Sequence, residues 1–355
     1  METDKNLHFI RNLEYFESDD VNISTYEYEI LAYSTIFGEF EYGPYYFTIW
    51  EFGIKPPGQE RKLILKIKQS NKLFEEYRIE SEKNDIYHGG GIADEIVYLS
   101  SLFLRRRLKL SKCVRTDDSP RILNFKTGFI DIELISGESN LNNISEILKL
   151  TKNLKIELQE KFILSAKLYH QALLQIEDYT DIAYLNLISA IEVLCQNYRI
   201  NKSISDINDK ALNDFYNKLD DELKKEFEII ILRRERLIKT NFVKFILDHL
   251  DDSFWNYEKR PKVFGRIKED EIEDILKRIY DYRSKLLHTG EQFPIYIFYP
   301  PESINKNEYA EIPFCEGTGT LGKMWNKNEF IPYPHFFERL VNHVLINFLR
   351  KNQNN

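Results

Sequence analysis

The chain has 355 residues, 43% hydrophobic and 30% charged, which is enough apolar material for a packed core and too much for an intrinsically disordered protein. Its net charge of −8 excludes the uniformly basic coat of a non-specific nucleic-acid binder while leaving room for a local basic site. Cys113, Cys195 and Cys315 lie far apart with no C-x-x-C, which argues against a disulfide scaffold and a zinc ribbon, and no cofactor or metal is expected.

The N-terminus "METDKNLHFIRNLEYF" lacks the apolar region of a signal peptide, and no apolar run approaches the ~18 residues of a membrane span. A cytoplasmic protein with no membrane partner is expected. "STYEYEILAYSTIFG", "YYFTIWEFG" and "RKLILKIK" are rich in β-branched and aromatic residues between Gly and Pro breakers and read as strands. "HGGGIADEIVYLSSLFLRRRLKL" reads as a glycine turn opening a helix, with acids in its first turn and arginines in its last. The glycines lack the Lys-Ser/Thr ending of a phosphate loop, so a capping turn is expected there. His88 has no Cys or His at ligand spacing and reads as a surface residue. "RILNFKTGFIDIELI" has extended character.

Beyond the "SGESNLN" linker the pattern becomes helical, with helices expected near 154–178, 180–199, 220–238, 240–250 and 268–288. A Pro-rich aromatic stretch then leads to a last helix after Pro334. The predicted class is α+β, with a β-rich mixed region over 1–138 followed by a helical bundle over 139–355. "RRRLKL" and "LRRERLIK" are the basic runs; each is either a local positive patch or a solvated helix face.

One helix carries an anomaly. At ~100° per residue, Ile272, Ile275, Leu276, Ile279, Leu286 and Leu287 share an arc, and Arg283 falls near its middle. An arginine there must snorkel, pair with an acid or face a cleft, because an unpaired buried guanidinium is costly. His288 is displaced by ~140° on an ideal helix, so the two converge only if the helix loosens or a second surface meets both. Periodicity leaves a plainer reading open, in which both residues complement the negative end of the helix dipole. In "DIAYLNLISAIEVLCQNYR" apolar residues run nearly all round, marking an interior helix, yet Glu192 shares the arc of Leu185, Ile188 and Cys195. Arg283 is its obvious partner; the alternative is a surface glutamate near a gap.

"KLYHQALLQIEDYTDIAYLNLISAIEVLCQ", followed further on by "IYDYRSKLLHTG", resembles the HEPN superfamily, most closely its Apea-like branch. "FFERLVNHVLINFL" is similar to the closing helix of that branch, and "GGGIADEIVYLSSLFLRRR" to its N-terminal companion region. The resemblance implies an HEPN-type helical bundle and metal-independent RNA cleavage at a homodimer interface, where two Arg-x4-His motifs face one another. It assigns His288 to proton transfer during attack of the RNA 2′-OH on the adjacent phosphorus, and Arg283 to the scissile phosphate. These residue types suit the chemistry, since histidine titrates near neutrality and arginine offers a permanent fork to phosphate oxygens. Glu192 would orient Arg283. Ser284, where many members carry Asn, Asp or His, can donate a hydrogen bond to phosphate. Tyr282 and Lys285 flank the motif as candidates for RNA contact, while Tyr280 reads equally well as packing.

The function implied is that of an endoribonuclease acting on cellular RNA, with tRNA one candidate, in anti-phage abortive infection or a toxin-like system. The N-terminal part would sense a phage-derived trigger or a cognate regulator. The alternative is a non-catalytic HEPN scaffold or RNA-binding module in which Arg283 and Glu192 form a structural ion pair.

Overall fold

A computed structural model describes residues 7–18, 22–50, 55–56, 58–73, 90–122, 128–131, 134–135, 137–196, 204, 210–234, 238–305, 308–320 and 323–354. The class is α+β, a five-stranded antiparallel sheet followed by packed helices. Helix α1 (His8–Glu17) precedes strands β1 (Ile23–Ala32), β2 (Thr35–Phe37), β3 (Glu39–Tyr42), β4 (Tyr45–Ile49) and β5 (Arg61–Ser70). Helix α2 (Ile92–Leu104) and strand β6 (Leu108–Thr116) follow, and the sheet order is β3-β4-β5-β1-β6. β1 and β5 pair over their full length, Ile23 opposite Ser70 and Ala32 opposite Arg61. The turn between β3 and β4 uses Gly43 at φ +55, a conformation glycine reaches without strain.

Helix α2 opens as its sequence indicates: the Gly91 N–H donates to Asp94 Oδ2 at 2.8 Å, a side chain satisfying an otherwise orphaned donor. Buried Glu95 then accepts the N–H groups of His8 and Phe9 at 3.1 and 2.8 Å, which ties the N-terminus of α1 to α2. The far end of α2 departs from expectation. The helix stops at Leu104, so none of the three arginines lies in its last turn. Arg105 adopts φ +52, and the chain turns directly into β6, a strand hidden within the basic run. The left-handed turn is offset by a bidentate pair, in which Arg105 Nε and Nη2 donate to the buried Glu338 carboxylate at 3.0 and 2.5 Å.

The boundary expected at 138–139 falls inside a short strand, β7 (Glu138–Asn140), which pairs in parallel with β2. Helices α3 (Ile144–Lys152), α4 (Ile156–Gln175) and α5 (Thr180–Cys195) follow, then α6 (Lys210–Tyr216), α7 (Asp221–Arg234), α8 (Ile238–His249) and α9 (Asp252–Trp255). Helix α10 (Ile272–Thr289) carries the anomalous arginine. The strand pairs β8 (Ser303–Asn305) with β9 (Glu308–Tyr309), and β10 (Gly317–Thr320) with β11 (Lys323–Asn326), lie before α11 (Pro334–Lys351). The helical part is therefore not purely α. One buried cluster runs from Phe9, Ile30 and Leu65 through Leu99 and Ala166 to Leu187, Ile279 and Leu345, so both sides of the expected boundary share a core.

Helix α5 sits at the centre of the helical layer. It packs against α4, α8 and α11, and Tyr184, Leu187, Ile188 and Ile191 are fully buried, as its all-round apolar pattern indicates. Ser165 of α4 donates to the carbonyl of Ala190 at 2.6 Å, a close crossing that small residues permit. No described helix is long and apolar enough to cross a membrane.

Candidate functional site

The site is built where α10 passes the C-terminal end of α5. Ile272, Ile275, Leu276, Ile279, Tyr280 and Tyr282 form the buried stripe of α10. Arg283 keeps its place near the angular middle of this stripe but lies just past its last fully buried residue, so it is partly exposed. Leu287, expected within the apolar arc, is 53% exposed. Tyr282, at one edge of the stripe, turns inward against Phe293 at 6.1 Å, and Phe293 in turn packs on Tyr184 of α5 at 5.3 Å. The ring of Tyr282 is thus buried, and it is a core side chain where RNA contact was expected.

Glu192 is the hub. Its Oε2 accepts from Arg283 Nη2 at 3.0 Å and its Oε1 from the Tyr280 hydroxyl at 2.7 Å. Tyr280 and Arg283 are three residues apart on one helix face, so a single carboxylate reaches both. The guanidinium also lies over the Tyr280 ring at 5.5 Å, and that ring leans on Phe242 of α8 at 5.3 Å. Both members of the ion pair are partly exposed, 24% for the Arg283 side chain and 13% for Glu192. The pair therefore sits at the rim of the core, where water still reaches the arginine. The remaining N–H groups of Arg283 have no acceptor among the described residues. Burial, then the hydrogen bond to Glu192, raises the Tyr280 hydroxyl well above the usual phenol range. Burial and the same carboxylate push the Cys195 thiol up to about 12, which removes it as a nucleophile at neutral pH.

His288 lies elsewhere on the helix. α10 stays α-helical through Thr289, and Gly290 closes it at φ +71 with its N–H on the Leu286 carbonyl at 3.1 Å. The helix does not loosen before His288, so the imidazole keeps its angular displacement from Arg283. It is exposed in the last turn and has no hydrogen bond or ion pair with a described residue. Of the two routes to convergence, only a second surface remains. Ser284 is partly exposed beside Arg283. Lys285 is exposed, lies over the Tyr282 ring at 5.4 Å and stands 3.8 Å from Glu291.

The basic runs have separate fates. In the first, Arg105 binds Glu338, Arg106 donates to the carbonyls of Arg105 and Glu138 at 2.6 and 3.0 Å, and Arg107 stands 3.6 Å from Asp178. These arginines clamp elements together. The second run, 232–239, lies largely outside the described side chains, as does His88 outside the described residues. Lys239 is an exception and joins Asp281 of α10 at 2.6 Å.

Two buried acids of the C-terminal part hold arginines away from this site. Glu338 of α11 is fully buried and also accepts from the Tyr169 hydroxyl. Glu311 binds both Arg260 and Arg339. An acid between apolar neighbours, as in "FFERL", was the available signal for the first. Among the described residues no group of three or more His, Cys, Asp or Glu side chains gathers so as to hold a metal ion. Comparison with family models, curated proteins and solved structures finds no match to this chain.

Proposed function

We propose that this chain is an HEPN-type endoribonuclease that cleaves cellular RNA, tRNA among the candidates, without a metal, in an anti-phage or toxin-like setting. The observation that carries this reading is the state of Arg283. One N–H is fixed by Glu192, the ring of Tyr280 lies beneath the guanidinium, and its other donors face no protein acceptor among the described residues. A cation held in this way is pre-organised for an anionic oxygen.

His288 is too far round the helix to share a phosphate with Arg283 of its own chain, so the composite site needs two protomers, each α10 facing its mate. His288 of one protomer accepts the proton of the RNA 2′-OH as the 2′-oxygen attacks phosphorus. The P–O5′ bond breaks, the 5′-oxygen takes a proton from water, and the imidazolium releases its own proton to the solvent. Arg283 neutralises the charge that grows on the non-bridging oxygens. The products are a 2′,3′-cyclic phosphate and a 5′-OH, and the N-terminal sheet region is assigned to sensing a phage-derived trigger or regulator.

One observation favours a second reading. The Arg283–Glu192–Tyr280 contacts also suit a scaffold in which the arginine only braces α10 against α5. Sequencing of RNA 5′-OH ends after controlled expression separates the two. Wild-type protein is expected to generate new 5′-OH ends, in the presence of a chelator when the reaction is repeated with purified protein. Arg283→Ala and His288→Ala are each expected to abolish them with dimerisation intact. No cleavage by wild type supplied with its trigger would leave the scaffold, and loss of cleavage on chelation would remove the metal-free chemistry.

A further inference from the structure

The stretch "RPKVFGRIK", residues 260–268, carries four cations and no acid in a chain that is acidic overall. Its backbone is anchored at both ends and in the middle. Arg260 is buried, with Nε and Nη2 on Glu311 at 2.6 and 2.7 Å and Nη1 on the Trp255 carbonyl at 2.9 Å. Arg260 Nη2 also reaches the Ile267 carbonyl at 2.6 Å, while the Ile267 N–H donates to Glu311 Oε2 at 3.0 Å. The Gly265 carbonyl accepts from the N–H groups of Glu311 and Ile312 at 2.7 and 3.3 Å. Gly265 holds φ +64, and a Cβ there would stand 2.7 Å from the Ala310 Cβ, so the loop lies tight on its support.

Between these anchors the side chains point outward. Val263 and Phe264 are 74% and 65% exposed, and Phe264 lies 6.3 Å from Phe314, itself half exposed. Lys262, Arg266 and Lys268 are exposed and have no acidic partner among the described residues. With Trp255, Arg260 and Glu269 they line an open cavity of about 350 Å³. A loop this firmly held has little ordering left to do on binding, and three cations without an acidic partner among the described residues, on the same loop as an exposed aromatic ring, are complementary to a polyanion with flat apolar faces.

We infer that the 260–268 loop is a docking surface for single-stranded nucleic acid, with the phosphate chain on Lys262, Arg266 and Lys268 and a base against Phe264. A protein partner would have to supply three acids around an aromatic slot, whereas a nucleic-acid strand repeats that pairing of charge and ring at every nucleotide. The inference deepens the ribonuclease reading, since it supplies a substrate grip away from Arg283 and His288, but binding here does not require that the chain cut RNA.

The test is fluorescence anisotropy of a labelled oligouridine titrated with the full-length His288→Ala protein, so that cleavage does not intrude. Removing three phosphate contacts at about 0.7 log unit each in 0.1 M salt is expected to weaken binding about 100-fold in K262A/R266A/K268A and to flatten the salt slope by about 2. Phe264→Ala is expected to lose about tenfold with the slope unchanged, because stacking releases no counterions. All four side chains are exposed, so an unchanged melting temperature verifies the fold of each variant. Loop-dependent binding by a chain that cuts no RNA would support this inference while removing the nuclease reading. Absence of oligouridine binding, equal binding by the triple variant, or self-association lost in Phe264→Ala would each overturn it.

Discussion

Glu311→Gln takes the negative charge away from two arginines at once. In the native protein Glu311 Oε1 faces Arg260 Nε at 2.6 Å and Arg339 Nη2 at 3.0 Å, while Oε2 faces Arg260 Nη2 and the Ile267 N–H. All three residues are buried. Glutamine has a single oxygen, so one side of the amide must turn an NH2 group toward donors. Breaking a buried ion pair by removing one partner costs about 3–5 kcal/mol. The arginines keep some support, since Arg260 retains its carbonyl acceptors and Arg339 lies 4.1 Å above the Phe254 ring with Nη1 on the Phe254 carbonyl. The lower end of that range, about 3 kcal/mol, is therefore expected.

Unfolding entropy of about 2.1 cal/mol/K per residue gives about 0.75 kcal/mol/K for a 355-residue chain, so the melting temperature should fall by roughly 4 °C at neutral pH. Burial pushes the Arg339 guanidinium down to about 10, helped by Arg260 and Arg105, and Glu311 opposes the fall. Differential scanning calorimetry at neutral pH is the assay. A melting temperature within about 1 °C of wild type at neutral pH would refute the view that Glu311 is the charge-compensating centre of this cluster.

Two further outcomes follow from the same kind of contact. His170 is buried beside Ser101 Oγ, 3.0 Å from Nδ1, and burial lowers its pKa to about 4 against about 6.5 when unfolded. The unfolded chain binds the extra proton between those values, so this contribution is fully present above about pH 6.5 and is lost as pH falls toward 4. Denaturant melts of His170→Gln should show a flatter loss of stability across that window, and an unchanged slope would refute the assignment. Glu192→Gln keeps an acceptor for Tyr280 but loses the charge on Arg283. This partly exposed pair should cost only about 1 kcal/mol of stability by urea titration. On the nuclease reading kcat should fall at least about tenfold with KM little changed, because Arg283 is a group whose charge matters most in the transition state. A variant as active as wild type would mean that Glu192 does not position Arg283 for catalysis.

Much of the helical part was legible because periodicity reports burial directly. The all-round apolar run of α5 is interior, and the acid within it, Glu192, meets the misplaced arginine of α10. What escaped reading depends on contacts distant in sequence. Arg105 leaves the helix because Glu338, more than two hundred residues away, fixes a left-handed turn, and this frees the alternating residues after it to form β6. Tyr282 turns inward because the chain reverses at Gly290 and brings Phe293 beneath it. Leu287 falls on the arc that a straight helical projection assigns to the stripe, yet it lies beyond the last buried residue of the helix and is exposed.

The regularity of α10 changes what the Arg-x4-His spacing can mean. On a helix that is regular through Thr289, residues five apart face directions ~140° apart, so the motif does not present both groups on one face of its own helix. Either the two residues serve separate structural ends, one bracing α5 and one complementing the helix C-terminus, or a second α10 supplies the missing partner for each. The first alternative predicts that Arg283→Ala and His288→Ala lose different things, one stability and the other almost nothing. The second predicts that they lose the same activity, and that mixing the two inactive chains restores part of it. In a mixed dimer, one of the two composite sites can keep Arg283 from one chain and His288 from the other. Recovery of RNA cleavage on mixing, absent for either variant alone, would be the signature of a site shared between subunits. Its failure, with mixed dimers verified by mass spectrometry, would return the motif to the helix ends.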